Sequence, residues 1–244
     1  MRTVVLLLAC AALAVPAPAA TDRQTRTLAW SAERVLAIDI TVGQVRIEGS
    51  NRPDLEVAIQ RTAPTTDAFA QLPVVIDETP ERVAIRIVLP DGSTDPALVS
   101  DLVLRVPATA RIDHLKVMEG KLQLEHFRGS LTADVRRGPI EGNDVSGTLR
   151  LETGIGSVTL RNARLDPAGL LRLRAFNGDV RLQMPGPPGD ARVMALALNG
   201  TVQSDIPMTT RDSWGPRWSE ATLGKGEPVI SIDVVTGKVE IRTK

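Results

Sequence analysis

Between residues 120 and 182 apolar and polar positions alternate in short bursts, and a glycine opens each burst. Gly120, Gly129, Gly138, Gly147 and Gly156 stand nine residues apart. Gly169 and Gly178 resume the spacing after a four-residue insertion around Asp166-Pro167, and Gly43, Gly200 and Gly237 open further copies. Two residues after these glycines stand Leu122, Leu131, Ile140, Leu149, Val158, Leu171, Val180, Val202 and Val239, all apolar. Four residues after them stand Leu124, Ala133, Gly142, Leu151, Leu160, Leu173, Leu182, Ser204 and Ile241. Between the two sets lie only polar residues, among them Gln123, Thr132, Glu141, Arg150, Arg172 and Arg181. Alternation with period two predicts strands with one buried face. The glycine supplies the turn, where a positive φ or a close backbone approach is needed.

Strands this short cannot bury their apolar face alone, whereas stacking them can. The pattern therefore predicts an all-β chain folded as a β-solenoid, or β-helix. Its coils would be about 18 residues long, two nine-residue repeats each, around a narrow aliphatic interior. An antiparallel meander with tight hairpins is the alternative. A second apolar position near the end of many repeats (Phe127, Val145, Ile155, Phe176) is expected to plug the corners. The section 21–107 is β-rich but less regular. Its strand candidates are Val35–Ile40, Val45–Glu48, Leu55–Arg61, Val74–Asp77, Val83–Leu89 and Leu102–Val106, with a helical turn over Thr65–Ala70. This section is expected to cap the repeats of 108–244. A long insertion over 206–226, with Trp214 and Trp218, interrupts those repeats.

Residues 1–20 read as a signal peptide: Arg2, an apolar run from Val4 to Val15, then Pro16-Ala-Pro-Ala-Ala20 with an Ala-x-Ala site. The run is too short for a membrane span, which needs roughly 18 apolar residues. Leu7-Leu8-Ala9-Cys10 offers a rival reading as a lipobox, in which Cys10, the only cysteine, is acylated. The expected destination is the periplasm or the outside of the cell, and no second cysteine is there to form a disulfide. Aromatic residues make up only 2% of the chain, with no tyrosine, which suits a thin aliphatic core. With 29 basic and 29 acidic residues there is no electrostatic case for nucleic acid.

Three stretches resemble the bacterial "putative adhesin" family of exported proteins of unknown function. They are Asp101-Leu-Val-Leu-Arg-Val-Pro107, the repeat run from Gly120 to Leu182, and the closing segment from Gly224 to Ile241. The resemblance covers most of the chain beyond the signal. It implies a β-helical fold in the cell envelope or outside it, and brings no catalytic residues.

Each candidate chemistry has a plainer reading beside it. Glu125, Asp134, Asn143 and Glu152 form an oxygen-bearing series five residues after successive glycines. A calcium-binding nonapeptide roll needs tandem glycines and a recurrent Asp, both missing, and Arg161 and Arg174 break the series. His114 and His126 stand twelve residues apart with no zinc partner, and Gly154-Ile-Gly156-Ser157 lacks the spacing of a nucleophile elbow. Asn199-Gly200-Thr201 matches a glycosylation sequon but reads equally as a turn. No metal or cofactor is expected. A polysaccharide-active β-helix enzyme would need converging carboxylates, and Asp113, Asp134, Glu141, Asp144 and Asp179 are spread along the chain. Outward positions favour arginine, and Arg150, Arg172, Arg174 and Arg181 form a candidate face for an envelope protein or an anionic polysaccharide. Cross-strand salt bridging is the simpler account of the same residues. The sequence thus favours a non-enzymatic exported envelope protein, with a carbohydrate-active enzyme and an envelope-stress or signalling accessory protein as alternatives.

Overall fold

Each burst of alternation forms a strand, and four of the ten opening glycines, Gly43, Gly120, Gly200 and Gly237, lie inside strands and bend them. The computed structural model describes residues 19–211 and 217–244. The expected signal peptide lies outside these residues except for Ala19 and Ala20, as does Trp214. The described strands run β1 (Ala20–Ala29), β2 (Val35–Ser50), β3 (Asp54–Ala63), β4 (Val75–Glu78), β5 (Arg82–Ile87) and β6 (Val99–Pro107). There follow β7 (Arg111–Glu125), β8 (Ser130–Arg137), β9 (Ile140–Asn143), β10 (Thr148–Ile155), β11 (Val158–Arg161), β12 (Leu170–Asn177) and β13 (Val180–Met184). Last come β14 (Ala191–Ser204), β15 (Thr209–Arg211), β16 (Arg217–Leu223) and β17 (Val229–Thr243). A short 3-10 turn covers Asp67–Gln71, overlapping the helical turn read from the sequence.

The pairings close on themselves. Starting from the first half of β7, the order is β8, β10, β12 and the first half of β17. The second half of β17 then leads through β13, β11 and β9 back to the second half of β7. All eight contacts in this ring are parallel. The fold is therefore a closed eight-stranded parallel β-barrel with further strands outside it, and the expected β-solenoid is corrected. The physical reason lies at Gly120 and Gly237. The sequence pattern treats each glycine as the end of a strand, leaving two separate walls. In the structure both take φ near +145 (149° and 144°) inside 15-residue strands, so β7 and β17 bend without stopping and carry the ladder round the corner. Outside the ring, β2 lies parallel to β7 on one side and carries β1 and β3–β6, directly or through one another. On the other side β14 lies parallel to β17, followed by antiparallel β16 and β15.

The ring's register stacks like on like. Leu131, Leu149, Leu171 and Ile230 stand opposite one another, as do Ala133, Leu151, Leu173 and Ile232. All are buried, and they face Leu122, Ile140, Val158, Val180 and Val239 from the other arc. Truncating one such leucine to alanine removes its transfer energy and leaves a cavity, about 2–5 kcal/mol in all. Phe127 is the single phenylalanine with no exposed surface. Gly142 leaves a gap in the second layer that the side chains of Leu160 and Val145 fill. The inward polar residue Thr153 is satisfied by donating its hydroxyl to the carbonyl of Gly138 at 2.8 Å.

The glycines sort into two seams, which the nine-residue spacing does not separate. Gly43, Gly120, Gly138, Gly156, Gly178, Gly237 and Gly200 stack along one bend. A Cβ on Gly138 would stand 1.5 Å from the carbonyl oxygen of Gly120, and one on Gly120 would stand 1.6 Å from that of Gly43. Gly129, Gly147 and Gly169 line a second bend. Only hydrogen fits where successive backbones pass this closely.

Candidate binding face

The two classes of glycine launch different segments. Seven residues after Gly120, Gly138 and Gly156 stand Phe127, Val145 and Ala163, which are all buried. Seven residues after Gly129, Gly147 and Gly169 stand Arg136, Gly154 and Phe176, which point away from the core. The expectation that Phe127, Val145, Ile155 and Phe176 all plug corners holds for the first two and fails for the others. Ile155 is 55% exposed and Phe176 52% exposed. Period-two parity accounts for Phe176: with Leu171, Leu173 and Ala175 inside, residue 176 falls outside with Arg172 and Arg174.

The outer surface of β8, β10, β12, β17 and β14 is thus organised in rows running from strand to strand. The first row holds Thr132, Arg150, Arg172, Ser231 and Met194. The second holds Asp134, Glu152, Arg174, Asp233 and Leu196. The third holds Arg136, Gly154 and Phe176, with Val235 and Leu198 continuing it on the next two strands. Three of the four sequence-predicted arginines, Arg150, Arg172 and Arg174, therefore share one face. Arg181 does not: it sits on β13, on the opposite arc, tied to Asp179 at 3.0 Å and Glu240 at 3.5 Å.

Charge on this face is unevenly compensated. Arg174 reaches Glu152 at 3.7 Å. Arg150 and Arg172 stand directly opposite each other in parallel register, and neither has an ion-pair partner among the described residues. Like charges placed so cost about 0.2–1 kcal/mol in a sheet. Salt bridging explains Arg174 and Arg181 but leaves the Arg150–Arg172 rung unexplained.

Beside the arginines lies apolar surface that the sequence reading missed. On β14, Val193, Ala195 and Ala197 face inward while Met194, Leu196 and Leu198 face outward. Apolar residues on both faces mark a strand covered on both sides, and the run Val193-Met-Ala-Leu-Ala-Leu198 carries that signal. Leu198 is 48% exposed. Met194, Leu196 and Trp218 line a shallow depression of about 290 Å³. A second depression of about 480 Å³ lies over Gly154, between Arg136 and Arg137 on one side and Ile155 and Phe176 on the other. A third, about 680 Å³, lies away from this face, where Pro167, Pro185, Pro187, Pro188 and Pro228 line much of the wall.

Asp144, Glu56 and Asp54 are each held ionised by basic neighbours. Asp144 accepts from His126 Nδ1 at 2.9 Å and lies within 3.5 Å of Arg128 and Arg164. That hydrogen bond, aided by the two guanidinium groups, lowers its pKa. Arg105 and Arg52 do the same for Glu56, and Arg52 for Asp54. A general acid for glycoside cleavage needs its pKa raised, opposite to these shifts. The oxygen series read from the sequence separates into two: Glu125 pairs with Asn143 and Asp134 with Glu152. Asn143 donates to Glu125 at 3.2 Å, so these groups satisfy each other. His114 stands beside Asp39 at 3.5 Å, away from His126. Among the described residues no cluster of three or more His, Cys, Asp or Glu is placed to hold a metal. No described helix is long and apolar enough to cross a membrane.

With the fold in view, known structures can be compared. A "putative cell adhesion protein" from Clostridium sporogenes superposes over 92% of this chain and 100% of its own, with a TM-score of 0.52 and 13% identity. A "putative adhesin" from Parabacteroides merdae covers 90% of this chain and 95% of its own, at a TM-score of 0.35 and 12% identity. Another from Bacteroides fragilis covers 90% and 97%, at 0.33 and 11%. These are the kinds of protein that the sequence resemblance names. At such identities the Clostridium likeness speaks for the fold alone, and the looser superpositions add no argument. No family model and no curated protein matches the sequence.

Proposed function

We propose that this chain is a non-enzymatic, exported cell-envelope protein that binds a partner or polymer through the outer face of β8, β10, β12, β17 and β14. The observation that carries the reading is the Arg150–Arg172 rung, without ion-pair partners among the described residues, on a face that two rows further on exposes Phe176 and Leu198. A sheet face serving only as surface would intersperse opposite charges across strands and expose few large apolar side chains. Here two guanidinium groups stand together and an apolar strip runs alongside. A bound anion would neutralise the rung, and a bound surface would cover the strip. The reading of residues 1–20 as an export signal supports a role among envelope components.

The reading is tested by capture from envelope fractions, comparing the mature chain with an Arg150→Glu/Arg172→Glu variant. Both residues are exposed, so the variant is expected to fold and to lose its partners. Equal recovery of every partner by both proteins overturns the reading.

A further inference from the structure

The third row of the binding face carries a concave site. That row reads Arg136, Gly154, Phe176 on three successive strands, and the missing side chain at Gly154 opens the depression of about 480 Å³. That size falls in the usual range for small-molecule sites, about 300–1,000 Å³. Arg136 and Arg137 form one wall and also line a neighbouring depression of about 300 Å³ over Met118 and Glu119. The two depressions lie side by side across β7, β8, β10 and β12, with Arg136 and Arg137 between them, as a divided trough.

We propose that this trough binds a linear acidic glycan, with one sugar ring stacked on Phe176 above Gly154 and its carboxylate or sulfate held by Arg136 and Arg137. The proposal rests on the binding-face reading and names the ligand class. Phe176 is half exposed in a chain with only three phenylalanines and no tyrosine. An aromatic face left bare at a groove wall offers a flat apolar platform. Arg136 and Arg137 have no ion-pair partner among the described residues, and their planar forks suit bidentate contact with an oxyanion. On the remaining edge Asp134 and Glu152 offer carboxylate oxygens, and Asn177 an amide, to hydroxyl groups. The trough is concave, whereas a bilayer is met by protruding side chains. It crosses successive strands at about 4.8 Å each, which suits an extended chain more than a single compact ligand.

The test measures binding of hexagalacturonate, neutral cellohexaose and vesicles containing anionic phosphatidylglycerol to the mature chain. Phe176→Ala, Arg136→Gln/Arg137→Gln and Arg150→Thr/Arg172→Thr variants are measured beside it, each first checked for an unchanged melting curve. Hexagalacturonate is expected to bind at least tenfold more tightly than cellohexaose, and the first two variants each to weaken it by about tenfold or more. Binding that depends on Arg150 and Arg172 but ignores Phe176, Arg136 and Arg137 overturns the trough and leaves the binding face standing. Failure of hexagalacturonate to bind, with or without vesicle binding, overturns the glycan assignment. The binding face itself then stands or falls on capture from envelope fractions.

Discussion

Replacing Gly138 with alanine tests the seam directly. Its φ of 139° lies in a region that side-chain-bearing residues avoid, at a cost of about 1–3 kcal/mol. The added Cβ would stand 1.5 Å from the carbonyl oxygen of Gly120, which is backbone and cannot swing aside. Relieving that overlap requires β7 and the following strands to part at this bend. Across that same gap the Leu122 N–H donates to the Pro139 carbonyl at 3.1 Å, and losing such a bond in the interior costs about 1–3 kcal/mol more. Gly138→Ala is therefore expected to destabilise by about 3–5 kcal/mol, a large share of the 5–15 kcal/mol available to a typical domain. Urea unfolding of the mature chain, followed by far-ultraviolet circular dichroism, reads this as a fall in midpoint. Two controls separate the causes. Gly189→Ala meets nothing within 4 Å and is expected to change stability by no more than about 0.5 kcal/mol. Gly142→Ala meets first the movable Leu160 Cδ2, at 2.7 Å, and is expected to fall between the two. A Gly138→Ala protein that unfolds within about 1 kcal/mol of the parent would refute the argument from backbone contact.

Other expectations concern the face and the core. Arg172→Thr removes one member of the like-charge rung and is expected to raise the urea midpoint by the equivalent of about 0.2–1 kcal/mol, less at high salt. Phe127→Ala is expected to cost about 3–5 kcal/mol, whereas Phe176→Ala, already half exposed, should leave the melting temperature nearly unchanged. Asp144 has a lowered pKa in the fold, because of His126 first and then Arg164 and Arg128. Its contribution is thus fully present above the unfolded carboxyl pKa, about 3.9, and is lost as pH falls through the lower folded value. Melting curves across the acid range should show Asp144→Asn weakening the chain at neutral pH and flattening the acid limb. An unchanged limb would assign that acid sensitivity to other carboxylates.

Much of the strand content was legible because period two is a local property. Val35–Ile40 and Val45–Glu48 were found, although they form one strand, β2, bent at Gly43. The inward leucines were also legible. Closure of the ring was not, because glycine punctuates a sequence in the same way whether the backbone bends or stops there. The site was half legible. Arg150, Arg172 and Arg174 follow from parity, whereas Arg181 follows Gly178, one repeat after Gly169, and two repeats per coil already set it on the opposite wall. Sorting the glycines into alternate classes would have shown Arg136, Gly154 and Phe176 opposed to Phe127, Val145 and Ala163. β14 escaped because a strand apolar on both faces does not alternate.

Like-on-like register also governs where this chain can grow. Ser130 pairs with Thr148, 18 residues on, Thr148 with Leu170, 22 on, and Leu170 with Val229, 59 on. All the added length lies in the connections, and the rows across the barrel stay aligned. A peptide grafted after Pro167 should therefore be displayed on an intact barrel. One residue inserted at the start of β10 would instead turn Leu149 and Leu151 outward and Arg150 inward. Variation in length and variation in surface chemistry are thus independent in this fold, the first confined to the connections and the second open along the outward rows.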